Sequence, residues 1–187
     1  MTNASWCLAE PTEENVRNGM LFEYNSSLGI YRCPADRSTL TDPSGSTPGT
    51  LRARSYNMSQ SVNGYPEYNW FIFKYIPYFK KFTQIKVPNV GNCMVFVDEH
   101  EHTLLDAQFG MPTDHYYGMQ VWWDMPANRH NQGANLGFAD GHAEIKKWLD
   151  GNTKLAVMKV APCPVYTRGL TSPKDHKWMQ DHTSARN

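Results

Sequence analysis

The chain has 187 residues, and its 18 basic and 18 acidic side chains cancel to no net charge. This balance gives no overall field that would attract nucleic acid or an anionic membrane surface. No apolar run approaches the roughly 18 residues that span a bilayer. We therefore expect a single domain over residues 1–187, with no nucleic-acid partner and no membrane span.

The N-terminal part predicts one short helix. Thr12 is a favourable N-cap, and the two glutamates that follow it suit the positive end of a helix. Val16, Met20 and Leu21 then recur at helical spacing. Residues 36–54 shift to Ser, Thr, Pro and Gly, which predicts an exposed loop.

The middle of the chain predicts a strand between two aromatic segments. Residues 94–97 form a short apolar run that enters the polar sequence 98–102, as a strand entering a loop does. The aromatic segments are residues 65–82 and 115–123. Residues 161–187 are rich in proline, charge and turn formers, and we predict a tail that wraps the surface.

Residues 129–142 carry the clearest pattern of the chain, because His130 is followed after nine residues by Asp140-Gly141 and then His142. Alternation on both sides of Asp-Gly predicts a β-hairpin with strands at 134–139 and 142–148 and a two-residue type I′ turn. Together these elements predict an α+β fold with an antiparallel sheet, few short helices and long irregular loops.

These motifs resemble those of pilin-like bacterial proteins, of the type II secretion pseudopilin kind, that end in a histidine, nine residues and Asp-Gly. The matching pieces occur in order along most of the chain: NGMLFEY at 18–24, IYRCPAD at 30–36, RSYNM at 54–58, VFVDE at 95–99, the hairpin, and WMQ at 178–180. The resemblance implies a pilin-like globular head. The prepilin leader and long apolar helix with which such proteins begin do not occur in this chain, so we expect a soluble ectodomain.

The resemblance also implies export to the periplasm or the cell exterior, with pilin-like assembly partners. An exported domain with four cysteines allows two disulfides, and Cys7 and Cys33 flank the predicted helix. We predict that these two are paired. The alternative is buried free thiols, because unpaired cysteine packs like a small apolar residue.

A polar site is predicted where the strand at 94–97 meets the hairpin. Its candidate metal ligands are Glu99, His130, Asp140 and His142. Imidazole with carboxylate suits zinc, whereas carboxylates and carbonyls suit calcium, which some pseudopilins bind. His130, His142 and Glu99 are also the candidates for acid–base catalysis. The alternative is a structural cluster in which Asp140 serves only the turn.

A second candidate site is aromatic. Exposed rings stack on sugars, and the candidates for stacking are Trp122, Trp123, Tyr117 and Trp70. Packing in the core is the alternative, since large aromatic residues bury much of their surface.

Three functions follow from these features. The first is a non-catalytic, exported pilin-like head that binds a divalent metal or a glycan. The second is a polysaccharide lyase or hydrolase on the same scaffold, and the third is a carbohydrate-binding module. The chain has no Gly-x-Ser-x-Gly elbow, no phosphate-binding glycine loop and no cysteine in a recognised catalytic signature.

Overall fold

The computed structural model describes residues 6–8, 10–62, 78–111, 122–151, 153–154 and 173–183. The α-helices described over their full range are α1 (Glu13–Arg17), α2 (Phe22–Asn25) and α3 (Pro173–Thr183), and 3-10 helices cover Leu28–Tyr31 and Phe82–Gln84. The strands are β1 (Tyr56–Ser59), β2 (Met94–Asp98), β3 (Gln108–Phe109), β4 (Gly133–Phe138) and β5 (Ala143–Lys147). None of the helices in these ranges has the length and apolarity needed to cross a membrane.

The strands form one five-stranded sheet in the order β3-β1-β2-β4-β5. All neighbouring pairs are antiparallel except β1 and β3, which run parallel through two residue pairs. The α+β prediction is therefore confirmed, whereas the prediction of a purely antiparallel sheet is wrong at β3.

The two faces of the sheet are covered by different parts of the chain. Phe96 and Val97 are neighbours on β2 and point to opposite faces. Phe96 packs on a cluster that includes the N-terminal residues Trp6 and Val16. Val97 belongs to the larger core, together with Met179 of α3. Each face is thus buried against an independent layer.

The predicted hairpin is confirmed, with β4 paired to β5 from Gly133↔Lys147 to Gly137↔Ala143. The predicted type I′ turn is wrong, because Gly141, with φ of 93°, has a positive φ and Asp140 does not. The Gly141 N–H donates to the Phe138 carbonyl at 3.0 Å. A glycine in the left-handed region after such a turn is typical of a three-residue loop.

The N-terminal helix forms where it was predicted but is interrupted. The Thr12 hydroxyl accepts a hydrogen bond from the Asn15 N–H at 3.2 Å and caps α1 as expected. The helix ends at Arg17, and α2 starts only at Phe22. At Gly19 the main chain lies so close to Trp6 that a Cβ would be 2.2 Å from the Trp6 carbonyl oxygen.

The C-terminal part is not only a surface tail. Residues 173–183 form α3, and Met179 is fully buried in the core, while residues 161–172 and 184–187 lie outside the described ranges. The tail that we predicted over residues 161–187 thus contains a helix at 173–183, and the buried side chain of Met179 anchors this largely polar helix to the core.

The predicted Cys7–Cys33 disulfide is wrong, because both side chains are buried free thiols. The Cys7 Sγ contacts the carbonyls of Leu8 and Asn15, whereas the Cys33 Sγ contacts the ring of His130. The two thiols have different surroundings, although they flank the same helix.

We expect Cys7 and Cys33 to alkylate fully when the protein is unfolded without a reductant. Mass spectrometry of the alkylated peptides measures this directly. A peptide in which these two residues remain linked under non-reducing conditions would contradict the structure.

Candidate metal centre

The register of the sheet places three polar side chains in one row. Tyr56 of β1 pairs with Asp98 of β2, and the Val97↔Leu136 pair puts Asn135 of β4 next to Asp98 on the other side. Residues that pair across strands share a face of the sheet. Tyr56, Asp98 and Asn135 therefore point together towards the N-terminal layer.

Loops bring two further residues to this row. Cys33 lies just beyond the 3-10 helix at Leu28–Tyr31, and its N–H donates to the Ser55 hydroxyl at 3.2 Å. His130 precedes β4 in a tight turn, in which Asn131 and Gln132 have φ of 53° and 61°. Residues other than glycine seldom adopt this left-handed backbone conformation. Here the two left-handed residues reverse the direction of the chain, so that His130 lies beside Asn135.

The side chains of Cys33, Asp98 and His130 converge within bonding range of a common point. The His130 Nε2 lies 3.4 Å from the Cys33 Sγ and 3.2 Å from the Asp98 Oδ2. The three potential ligand atoms all lie within 4.8 Å of one another, and this group could hold a metal ion. Cys33 and Asp98 are buried, and His130 is partly exposed.

The contacts at the His130 Nε2 exceed what one ring nitrogen can satisfy. The Asn135 amide nitrogen is also near, at 2.8 Å. A neutral or protonated imidazole nitrogen makes one good hydrogen bond, as donor or as acceptor. A cation between the sulfur, the nitrogen and the carboxylate would take the Nε2 lone pair that the Asn135 amide contacts here, so metal binding and this Asn135 contact exclude each other.

The distances also suit tetrahedral coordination. Zinc–ligand bonds of about 2.3 Å to sulfur, about 2.05 Å to nitrogen and about 2.1 Å to oxygen imply separations of about 3.6 Å for S···N and about 3.4 Å for N···O at the tetrahedral angle. The observed separations, 3.4 Å and 3.2 Å, are close to these values.

The carboxylate is held in place by Arg129. The guanidinium hydrogen-bonds to the Asp98 Oδ1, to the Glu99 carbonyl at 2.6 Å and to the Glu101 Oε2 at 2.8 Å. The Asp36 Oδ1 lies 3.9 Å from the Nη1 of the same guanidinium. Arg129 thus occupies one oxygen of Asp98 and leaves the other oxygen facing His130.

The pKa shifts in this network have clear causes. Burial raises the pKa of Asp98, and Arg129 offsets this only in part. Burial alone would lower the pKa of Arg129, but the carboxylates of Asp98 and Asp36 outweigh it and raise that pKa. Burial, with the charges of Asp98 and Cys33, raises the pKa of Tyr56 to about 12, so its hydroxyl keeps its proton.

Only His130 of the four predicted metal ligands belongs to this group. Glu99 follows Asp98, and its side chain is fully buried on the face of the sheet opposite to that of Asp98. There the Asn57 amide donates a hydrogen bond to the Glu99 carboxyl group. The six-residue strand β4, about 20 Å of extended chain, separates His130 from the turn that holds Asp140 and His142. The predicted convergence of Glu99, His130, Asp140 and His142 is therefore wrong.

Asp140 and His142 instead pair with each other at the hairpin tip. The Asp140 Oδ1 lies 2.6 Å from the His142 Nδ1 and accepts from the His142 N–H at 3.1 Å. Both side chains are exposed. The contact with His142 lowers the pKa of Asp140. Asp140 and His142 therefore stabilise the turn of the hairpin, which is the structural alternative that we gave for Asp140.

Two of the four residues proposed for ligand stacking, Trp122 and Trp123, lie in the part of the chain that the structure describes. Trp122 is 1% exposed and belongs to the core, so it has no face to offer a ligand. Trp123 is half-buried. Tyr117 and Trp70 lie outside the described residues.

Glu99 belongs to a buried carboxyl pair on the other side of the sheet. Burial, with the nearby charges of Asp124 and Asp106, raises the pKa of Glu99 well above its usual range. The pKa of Asp124 is also raised, by burial and then by Asp106. Two buried carboxyl groups with nearby negative charges favour the neutral form, so we expect Glu99 to carry a proton in the folded protein.

We expect the Glu99→Gln variant to gain stability relative to the native protein as the pH rises from 5 to 8. A carboxyl group whose folded pKa is raised destabilises the fold above its unfolded pKa, at most by about 1.4 kcal/mol per pH unit. Glutamine has nearly the shape of a protonated glutamate and does not titrate, so it removes this dependence of the free energy of unfolding on pH. Urea unfolding at both pH values measures the difference.

Glu144→Gln is the matched control for this substitution, because the Glu144 side chain is exposed on β5. It should leave the difference between pH 5 and pH 8 unchanged. Equal pH dependence of the native protein and Glu99→Gln would show that Glu99 is ionised in the fold.

The residues of this site other than His130 all lie in the motif pieces on which the resemblance rests, and of these only Asp98 belongs to a segment, 98–102, that we had considered for the polar site. Cys33 comes from IYRCPAD, Tyr56 from RSYNM and Asp98 from VFVDE, and Asn135 lies within the hairpin motif beside His130. Each piece is visible in the sequence, but their convergence around one point depends on the long-range pairing of the strands, which spacing does not show. Comparison with known proteins returned no matching family model, curated protein or solved structure.

Proposed function

We propose that this chain is the globular head of an exported, pilin-like protein, and that it binds a divalent transition metal through Cys33, Asp98 and His130. The observation that carries the metal site is the convergence of one sulfur, one nitrogen and one carboxylate oxygen within 4.8 Å. The order of the sequence motifs supports the pilin-like part of the proposal.

Zinc fits this set of ligands better than calcium. Calcium takes about six to eight oxygen ligands, whereas the only oxygen ligand of this group is the carboxylate of Asp98. Thiolate, imidazole and carboxylate together are typical of zinc sites. The ligands come from three distant segments, so the metal would join the N-terminal layer to β2 and β4 and stabilise the fold.

The catalytic alternative at His130, His142 and Glu99 has no support from the geometry, since these three residues are apart. A catalytic role for Cys33 as a nucleophile has little more support from the geometry. In such enzymes the carboxylate binds the imidazole nitrogen remote from the nucleophile, whereas Cys33 and Asp98 both contact Nε2. The non-catalytic head is the better proposal.

Zinc titration of chelator-treated protein tests the site. We expect one zinc per chain by elemental analysis, with affinity that falls at low pH because the thiol and imidazole must lose protons. Cobalt should give the absorption band of a thiolate ligand. Cys33→Ser and His130→Ala should each lower zinc affinity at least about tenfold, because even loss of a residue that only supports a metal ligand costs about 10–100-fold.

Cys93→Ser and His142→Ala are the matched controls, since Cys93 is another buried thiol and His142 is the other imidazole of the hairpin motif. Both should keep the metal. Unchanged zinc binding in Cys33→Ser would overturn the site. Fractionation of cells that express the natural gene tests export, and recovery with cytoplasmic markers alone would overturn the pilin-like part.

A further inference from the structure

The strand β5 forms one edge of the sheet and pairs with β4 alone in the described structure. The Phe138 N–H donates to the His142 carbonyl at 2.9 Å, and hydrogen-bonded pairs recur at every second residue of an antiparallel ladder. The main chains of Glu144 and Lys146 therefore bond to β4. The main-chain groups that face away from β4 belong to the other three residues of the strand, Ala143, Ile145 and Lys147.

This outer edge of β5 is open. Among the described residues, none forms a main-chain hydrogen bond with the outward groups of Ala143, Ile145 or Lys147. All three side chains are exposed, and Ile145 keeps 58% of its surface in contact with solvent. A row of unpaired N–H and C=O groups is a template for pairing with another strand.

The charges of β5 are complementary to those of a second copy of the same strand. Antiparallel pairing centred on Ile145 puts Glu144 of each copy opposite Lys146 of the other. The same register puts Ala143 opposite Lys147, so the outward main-chain groups of the two strands face one another. Opposite charges in directly opposed positions stabilise a sheet.

The neighbouring registers bring like charges together. Pairing centred on Glu144 would put the two copies of that glutamate opposite each other, and pairing centred on Lys146 would do the same with two lysines. Like charges directly opposite each other destabilise a sheet. Lysines on an edge strand often prevent pairing, but in the register centred on Ile145 each Lys146 meets an acid.

The two charged side chains are available on the face that carries α3. The Glu144 carboxylate is exposed and has no ion-pair partner among the described residues. The Lys146 ammonium lies 4.7 Å from the centre of the Trp178 ring. An ammonium group has three donors, so contact with this ring leaves Lys146 able to bind a carboxylate of a second copy.

Exposed apolar surface lies beside the edge on the other face. Ile145 pairs with Asn135 of β4 and so shares the face of the N-terminal layer. Ile30 of that layer is 58% exposed and lines an apolar cavity together with Ala143. Pairing centred on Ile145 makes the two Ile145 side chains neighbours and covers apolar surface that is otherwise in water.

We propose that two copies of this chain pair through β5, antiparallel about a two-fold axis at Ile145, and join their sheets into one. Such an interface is self-complementary and closed. The contact is short, so we expect a dissociation constant on the order of 10–100 µM. Dilute solutions used for unfolding then contain mainly monomer. The proposal does not depend on the metal site.

Sedimentation equilibrium over a range of protein concentrations tests the pairing, and we expect a monomer–dimer equilibrium for the native protein. Glu144→Lys should weaken dimerisation at least about tenfold, because it opposes two ammonium groups on both sides of the two-fold axis. Lys146→Glu should do the same with two carboxylates. The double variant exchanges the signs and restores the opposite charges, so its affinity should return to within a few-fold of the native value.

Glu14→Lys is the matched control for these variants. It changes the net charge as Glu144→Lys does, but the Glu14 side chain is exposed on α1 rather than on β5. It should leave the dissociation constant unchanged. Thermal unfolding in dilute solution shows that each variant folds, including Lys146→Glu, which gives up the contact with Trp178.

Cysteine cross-linking tests the register. Ile145→Cys should form an intermolecular disulfide under mild oxidation, because hydrogen-bonded partners have Cα atoms about 5.5 Å apart, within the disulfide range of about 4.4–6.8 Å. Lys147→Cys is the matched control, since the two copies of this position would lie roughly 14 Å apart along the strands. It should cross-link at least about tenfold more slowly. Both are made with Cys163→Ser, because Cys163 lies outside the described residues, whereas Cys7, Cys33 and Cys93 are buried.

Three results would overturn the proposal. A native protein that stays monomeric well above the expected dissociation constant leaves the edge to a strand of a different protein. A dimer that is unaffected by both single charge substitutions uses another surface. Equal cross-linking at positions 145 and 147 excludes the register, and with it the charge complementarity on which the pairing rests.

Discussion

Replacing Arg129 with methionine is expected to lower the free energy of unfolding at pH 7 by about 3–5 kcal/mol, the cost of breaking a buried ion pair from one side. Arg129 is only 10% exposed and contacts the carboxylates of Asp98, Asp36 and Glu101. Methionine fills similar space but leaves Asp98 and Asp36 buried without their counter-charge. Urea unfolding of chelator-treated protein measures the loss without a contribution from metal.

The loss should shrink as the pH falls towards 4. Arg129 lowers the pKa of Asp36 against the effect of its burial, so it contributes stability above the pKa of an unfolded aspartate. Without Arg129, both aspartates can avoid a buried charge by taking up a proton. An equal loss at pH 4 and pH 7 would show that packing, rather than charge, is what Arg129 supplies.

Two further substitutions separate charge from geometry. Arg129→Lys keeps the charge but cannot reproduce the forked contacts of a guanidinium, so we expect an intermediate loss. Asp98→Asn in the Arg129→Met background should restore part of the stability, because the buried charge is removed. Arg17→Met is the surface control, since its ion pair with Glu13 is exposed, and should cost less than about 1 kcal/mol.

Local sequence patterns predicted the elements that depend on neighbouring residues. The cap at Thr12 and the hairpin from alternation around Asp140-Gly141 both need only short-range information. The type of turn was predicted wrongly, because a glycine with positive φ occurs in two-residue and in three-residue loops.

The choice of Glu99 rather than Asp98 was an error of one residue with a large consequence. The residues before them, Val95, Phe96 and Val97, are all apolar, so the sequence does not show which face of β2 is which. A shift of one residue moves a side chain to the other face of a sheet. The register with Tyr56 and Asn135 resolves the ambiguity, and it is a long-range property.

Cys33 could not be assigned to the site from spacing. It lies 97 positions from His130 in the chain, and its thiol reaches the histidine only because Ser55 and the 3-10 helix at Leu28–Tyr31 hold that segment over the sheet. The predicted disulfide failed for the same reason. Proximity to a common helix in sequence does not orient two thiols towards each other.

Gly133→Ala is expected to destabilise the protein by about 1–3 kcal/mol, the usual cost of overpacking a filled site. A Cβ at Gly133 would lie 2.4 Å from the Lys146 carbonyl oxygen and 3.2 Å from the Lys147 Cα, both main-chain atoms of β5. Main-chain atoms cannot rotate aside, so β4 and β5 must separate where the hairpin begins. Thermal or urea unfolding of chelator-treated protein measures the effect.

Gly137→Ala on the same strand is the matched control. The nearest atom to its new Cβ is 3.7 Å away, an ordinary contact, so its stability should equal or exceed that of the native protein. Because Gly133 follows the turn that holds His130, we also expect Gly133→Ala to weaken zinc binding, and Gly137→Ala to leave it unchanged. Equal stability of the two variants would show that the close approach of β4 to β5 at Gly133 does not constrain the fold.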